Sequence, residues 1–163
     1  FVDHLPKGKY YVTRAGAARL NAEWEALQQK RGEVAENIRH ARGFGDLSEN
    51  FEYHEAKREQ GMVESRYHQL SVILPDLHVV EPEEVPTDRV CFGSVVRLRE
   101  EDGEEWELTI VGPLEANPED ELISFQSPLG SALIGKALGE TVETVVPAGT
   151  IRYEVVGIRP YDF

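Results

Sequence analysis

Two apolar stripes of period 3.5, separated by a short glycine-bearing segment, constrain this chain more than any other feature. Leu20, Trp24, Leu27, Arg31, Val34, Ile38 and Ala41 recur at alternating spacings of 4 and 3, with Arg31 as the polar interruption. Tyr53, Ala56, Gln60, Val63, Tyr67, Leu70 and Leu74 repeat the pattern with spacings of 3 and 4. Thr13 is placed to cap the first helix, and Pro75 stops the second because it lacks an amide and crowds the preceding turn. Between the stripes lies Gly43-Phe44-Gly45-Asp46-Leu47-Ser48-Glu49-Asn50, whose glycines break the first helix and whose length forces antiparallel packing. Each stripe is a narrow seam flanked by charge, which suits two helices packed on each other with water around the rest. From Ala15 to Arg42 is 28 residues, or about 42 Å of helix. A prong that long buries little surface per residue and serves to deliver its tip somewhere narrow.

Charge divides the chain. Residues 1–77 carry 11 Lys and Arg against 12 Asp and Glu, whereas residues 78–163 carry 6 against 18. The contrast predicts two domains, and it assigns any RNA or DNA contact to the N-terminal half, since the acidic half repels phosphates. No run approaches the ~18 apolar residues of a membrane span, no signal-peptide pattern is present, and the start at Phe1 predicts a trimmed N-terminus. The one cysteine, Cys91, leaves no internal disulfide and no metal-ligand spacing; it is expected as a buried thiol in a strand, in a reducing cytoplasm.

After residue 77 the pattern changes. Residues 78–88 place Pro82 and Pro86 among four acids without periodicity and are predicted to be a linker. Strands are expected at Val90–Arg99, Trp106–Val111, Leu122–Phe125, Thr141–Val146 and Ile151–Ile158, with turns at Glu101–Glu104 and Pro147–Gly149. A short helix over Leu129–Ile134 would follow Ser127-Pro128 and stop at Gly135. The class is α+β. This half shows no phosphate-binding glycine loop, catalytic triad spacing or metal cluster in its sequence, and alone it would not reveal a function.

The segment Gly45-Asp46-Leu47-Ser48-Glu49-Asn50-Phe51-Glu52-Tyr53-His54-Glu55-Ala56-Lys57 resembles the coiled-coil tip of the GreA/GreB family of bacterial transcript-cleavage factors. A second match is Leu122-Ile123-Ser124-Phe125-Gln126-Ser127-Pro128 followed by Leu133-Ile134-Gly135-Lys136. The tip and the Leu-Ile-Gly-Lys stretch look most like GreA, whereas Lys30-Arg31-Gly32-Glu33-Val34 has a GreB flavour. The resemblance implies an antiparallel coiled-coil hairpin over 1–77 with its acidic tip at 43–50, the linker over 78–88, and an FKBP-like domain over 89–163. The hairpin would enter the secondary channel of RNA polymerase, through which backtracked RNA extrudes, while the second domain docks beside it through Ser127, Pro128 and Leu129. The tip acids Asp46 and Glu49 would help hold a Mg²⁺ ion in the polymerase active site, with Ser48 and Asn50 in support. Lys57, Arg42 and Arg58 would contact the RNA 3′ segment. The chain would then be a monomeric cytoplasmic factor, away from any membrane, and no enzyme by itself.

The chemistry fits these residue types independently. Mg²⁺ takes octahedral oxygen ligands and commonly only one or two carboxylates besides water and phosphate. Two metals together stabilise the attacking and leaving oxygens of a phosphoryl displacement, so lent carboxylates can turn a polymerase site into a nuclease. Other readings of the same residues stay open. Asp46 and Glu49 also form a capping pattern, with Asp46 as N-cap and Glu49 reaching back. Ser48 and Asn50 are common turn and cap residues, Tyr53 sits on the seam, and Arg39 and Arg58 suit a solvated helix face. His40 and His54 lack a third ligand at metal spacing. Phe51 departs from the family pattern, being larger than the small residue expected after the motif. At the level of function, a channel plug that does not support cleavage and an autonomous isomerase or hydrolase are the alternatives.

Overall fold

The computed structural model describes residues 9–45 and 50–163. Contacts divide the chain into two units: one takes the chain up to Ala17 together with His78–Phe163, the other Ala18–Leu77. The elements run β1 (Tyr10–Val12), α1 (Arg14–Arg42), α2 (Phe51–Ile73), β2 (Leu77–Val79), β3 (Ser94–Glu100), β4 (Glu105–Val111), β5 (Leu122–Ser124), α3 (Pro128–Leu133), β6 (Thr141–Val146) and β7 (Gly149–Pro160). The class is α+β, as the sequence predicts.

In the helical unit α1 and α2 are antiparallel, since contacts pair rising numbers on one with falling numbers on the other. Trp24 stacks on Tyr67 at 4.2 Å, Arg31 binds Glu64 at 2.8 Å, and Ala41 meets Asn50 nearest the tip. Val34, Ile38, Ala56 and Val63 form the apolar seam, with Leu27 and Tyr53 packed against it. The polar interruption is explained by geometry: the Arg31 guanidinium lies 4.0 Å from the centre of the Tyr67 ring while also pairing with Glu64. Tyr67 thus receives Trp24 and Arg31, one heptad apart. Tyr67→Ala is expected to cost the hairpin about 2 kcal/mol, read by thermal melting followed by circular dichroism.

Nearer the base of the seam, Arg66 donates to both carboxylate oxygens of Glu23, at 2.5 and 2.9 Å, and these bonds hold the Glu23 carboxyl below its usual range. Because the folded form is the more acidic, this pair stabilises above the unfolded carboxylate range and is lost as pH falls through the folded value. Both side chains are about a third exposed, so the contribution is below about 1 kcal/mol. Arg66→Ala should therefore slightly flatten the acid limb of stability against pH, read from urea midpoints between about pH 5 and 3.

In the second unit five strands are ordered β5-β4-β3-β7-β6, antiparallel except for the parallel β4–β5 pair. Leu98, Leu108, Ile110, Val142, Val155 and Leu133 of α3 fill the main core. The strand expected from Val90 starts at Ser94 instead. Val90 exchanges backbone hydrogen bonds of 2.8 Å with Gly135 and Lys136, so it anchors the Leu-Ile-Gly-Lys stretch rather than opening β3. Cys91 lies in the turn that follows and is buried, and burial pushes its thiol up, away from the reactive thiolate.

The linker expected over 78–88 is an ordered part of this unit. It contains the last two residues of β2 and a 3₁₀ turn, and its Val80 and Val85 belong to a second core cluster with Phe92, Val95, Val111, Leu122 and Tyr161. The Tyr161 hydroxyl donates to the Val80 carbonyl, and burial raises its phenol above the ordinary tyrosine range. Prolines and acids dominate the composition of that stretch, but its valines decide where it sits. β1 pairs with β2, and the Val80 amide donates to Val12 at 2.9 Å, so the first strand belongs with this unit rather than with the hairpin.

Thr13 caps α1 as expected, its hydroxyl accepting the Gly16 amide at 3.1 Å. Its buried partner Glu115 is 102 residues away: the Thr13 amide and hydroxyl each donate to one Glu115 oxygen at 2.6 Å. Gly16 is required here, because a Cβ would lie 2.2 Å from the Glu115 carboxyl carbon.

Candidate functional site

The tip of the hairpin is where α1 ends and α2 begins. Asp46, Ser48 and Glu49 lie outside the described residues, so the site is built from what flanks them. α2 starts at Phe51, and Asn50 is its N-cap: the Asn50 side-chain oxygen accepts the Tyr53 amide at 3.0 Å. The Asn50 amide group donates to the Ala41 carbonyl at 2.5 Å, tying the two helix ends together. Asn50 thereby performs the capping that a capping box would assign to Asp46 and Glu49, and both acids precede the cap in sequence. Tyr53 packs in the seam beneath the Arg42 guanidinium, 5.9 Å from its ring centre.

Two grooves run along the sides of the hairpin near this end, and they differ in charge. One, of about 270 Å³, is lined by Arg39, Arg42, Lys57 and Gln60 over Ala35 and Ile38. The other, of about 250 Å³, is lined by Glu52, Glu55 and Glu59 with His40 and Asn37. Helix pairing produces the segregation, placing charges interleaved along the sequence on opposite sides of the seam. Arg42 and Lys57, both expected at RNA, share the basic groove; Arg58 does not line it and pairs with Glu55 at 3.4 Å. The Lys57 ammonium donates to Gln60 at 3.1 Å, and Arg39 pairs with Glu36 at 2.8 Å. His40 sits edge-on to Phe44 and His54 to Tyr53, as aromatic neighbours.

In the other unit, Ser127 is the N-cap of α3. Its hydroxyl accepts the Gly130 amide at 3.0 Å and donates to the Ser124 carbonyl at 2.7 Å. Pro128 opens the helix and is exposed, whereas Leu129 is half-buried against the main core. Of the three residues expected at a docking surface, Pro128 is therefore the most open. Gly130 was not singled out by the sequence; a Cβ there would lie 2.0 Å from the Ser124 carbonyl oxygen, so the loop closes only over glycine. Among the described residues, one group of three acids brings ligand atoms together, Glu100, Asp102 and Glu104 in the β3–β4 turn. There Asp102 accepts the Glu104 amide at 2.9 Å, ordinary turn chemistry.

Comparison with known proteins settles the lineage. Residues 10–79 match the family described as transcription elongation factor, N-terminal, and residues 85–160 match transcription elongation factor, GreA/GreB, C-term. The chain belongs to the GreA/GreB family. The transcription elongation factor GreA of Caldanaerobacter subterraneus subsp. tengcongensis is 46% identical over 150 residues, covering 91% of this chain and 96% of that protein. GreA of Clostridium perfringens is 46% identical over 157 residues, 95% of this chain and 99% of that one. A solved structure of the GreA factor homolog 1 protein of Thermus thermophilus is 28% identical, with 93% of this chain and 99% of that chain covered and a TM-score of 0.44. The two family matches meet near residues 79–85, where this Gre-family chain carries its 3₁₀ turn. Among the described residues no helix is long and apolar enough to cross a membrane.

Proposed function

We propose that this Gre-family elongation factor acts in the cytoplasm as a monomer, on bacterial RNA polymerase. It inserts its hairpin into the secondary channel, reaches the 3′ end of backtracked RNA, and stimulates the polymerase's own Mg²⁺-dependent cleavage without being an enzyme itself. The observation that carries this reading is the capping of α2 by Asn50, which gives the helix its cap without Asp46 or Glu49. Those two carboxylates suit Mg²⁺, which commonly takes one or two of them and fills its octahedron with water and phosphate. The Asn50 oxygen already accepts an amide hydrogen, so the donor set would come from Asp46 and Glu49. When bound between them and the polymerase, the ion would supply charge neutralisation at the scissile phosphate.

The chain's own residues do the rest. Asn50 fixes the start of α2 against the end of α1. Arg42 and Lys57 in the basic groove offer cations to RNA phosphates. Pro128, exposed at the start of α3, is the foremost contact for docking the second unit on the polymerase, with Ser127 and Leu129 shaping the turn beneath it.

The test is RNA cleavage in a stalled, backtracked polymerase complex with Mg²⁺. Shortening of the RNA from its 3′ end, faster with this protein than without it, is the expected result. Binding to polymerase with no gain in cleavage would make the protein a channel plug, and cleavage of free RNA would make it an autonomous nuclease.

A further inference from the structure

Both helices of the hairpin carry a glycine in their interiors, Gly32 in α1 and Gly61 in α2. Neither is required by its surroundings: both are exposed, both are helical, and a Cβ at either would meet nothing within 4 Å. Each therefore weakens its helix relative to alanine with no gain in packing. The two lie at one level of the hairpin. Lys30 pairs with Glu59 at 2.9 Å and Arg31 with Glu64 at 2.8 Å, so the residues just before Gly32 meet residues on either side of Gly61. The apolar seam is interrupted at the same level. Arg31 stands between Leu27 and Val34 in the first stripe, and Gln60 between Ala56 and Val63 in the second. Gln60 is engaged along its own helix, where its amide oxygen accepts the Lys57 ammonium at 3.1 Å. One layer thus lacks an apolar pair and has glycine in both helices, while apolar residues pack on either side of it. What crosses the layer is the Arg31–Tyr67 contact and two ion pairs whose side chains are 39–45% exposed, open to screening by salt. Helix bends have local causes, and local opening begins where buried apolar contacts are fewest.

We propose that this layer is a joint: the hairpin bends at Gly32 and Gly61, and residues 33–42 and 51–60 beyond it move together as one piece. The ion pairs across the layer set its stiffness, so the joint loosens as salt rises. Such a device lets a long prong follow a passage that is not straight while the pairing of its helix ends stays intact. That use rests on the insertion proposed above; the joint itself does not.

The experiment uses the full chain free in solution, followed by amide hydrogen exchange and by residual dipolar couplings. In the wild-type protein, protection should dip at residues 30–34 and 59–63 and recover nearer the tip, at 36–40 and 54–57. Raising salt from ~0.05 to ~1 M should deepen the dip. Couplings from residues 18–30 with 64–73, and from 33–42 with 51–59, should require two separate alignment tensors. Gly32→Ala/Gly61→Ala is expected to slow exchange in the layer about 10- to 30-fold and to bring all the couplings onto one tensor. Protection that falls smoothly from base to tip, a single tensor for the wild-type chain, or a double variant that still needs two would overturn the proposal. Both measurements are made without polymerase. Failure to stimulate cleavage would therefore leave the joint in place, and a rigid hairpin would leave the cleavage reading in place.

Discussion

Replacing Asp46 and Glu49 together by alanine is expected to leave polymerase binding within about twofold while lowering stimulated cleavage on the order of 10²- to 10³-fold. The second figure follows from charge stabilisation worth several kcal/mol at the reacting phosphate, with each 1.36 kcal/mol equal to a factor of ten. Binding should persist because the seam, the basic groove and the second unit are untouched. The more discriminating pair is Asp46→Asn with Glu49→Gln. Asparagine caps helices as well as aspartate does, so if the acids served helix initiation the amide forms would work normally. If they serve a metal, the neutral forms fail nearly as badly as alanine while thermal stability stays unchanged. The measurement is single-turnover cleavage at saturating factor across a Mg²⁺ titration, and amide variants with full activity would sink the metal role.

The second large effect concerns stability. Glu115→Ala should cost about 3–5 kcal/mol, because it leaves the Thr13 amide and hydroxyl hydrogens without their buried acceptors. Thr13 is 0% exposed and Glu115 2%, so solvent cannot replace the lost acceptor. Gly16→Ala should be damaging by the same route, since its Cβ would occupy the position of the carboxyl group. Glu115→Gln keeps one acceptor and should fall between. In the double variant Gly16→Ala/Glu115→Ala the losses should be far from additive, as removing the carboxylate makes room for the new methyl. Urea unfolding would decide it, and full additivity would mean that the two residues act at separate places.

The sequence made the hairpin legible because its information is periodic and local. The seam residues, the Thr13 cap and the stop before Pro75 all follow from neighbours within a turn or two. Even the end of the seam is off by one position only: Ile73 is buried at 5% exposure, while the expected Leu74 is half-buried in the 3₁₀ turn. What stayed hidden depends on pairings that no local pattern encodes. Glu115 is one acid among 30 until the fold brings it to Thr13. Val80 and Val85 are outnumbered by prolines and acids around them, yet they enter the core. At the tip, Asp46, Ser48 and Asn50 could each cap a helix by type, and only backbone geometry assigns the cap to Asn50. The acids Glu52, Glu55 and Glu59 recur at i, i+3 and i+7 on one flank of α2, but the two grooves themselves need both helices at once.

One consequence lies in the sizes of the side chains along the seam. Farther from the tip Trp24 stacks on Tyr67 between the helices, whereas nearer the tip the buried Ala41 and Ala56 lie beside Ile38 and Tyr53, and the Asn50 side chain reaches the Ala41 backbone directly. Helix axes approach as closely as the residues between them allow, so the gauge of the hairpin is set residue by residue along the seam. Its calibre is a sequence property: leucine at 41 or 56 would push the two helices apart at that level without touching a single charge, and a passage that admits the natural hairpin would reject the thicker one.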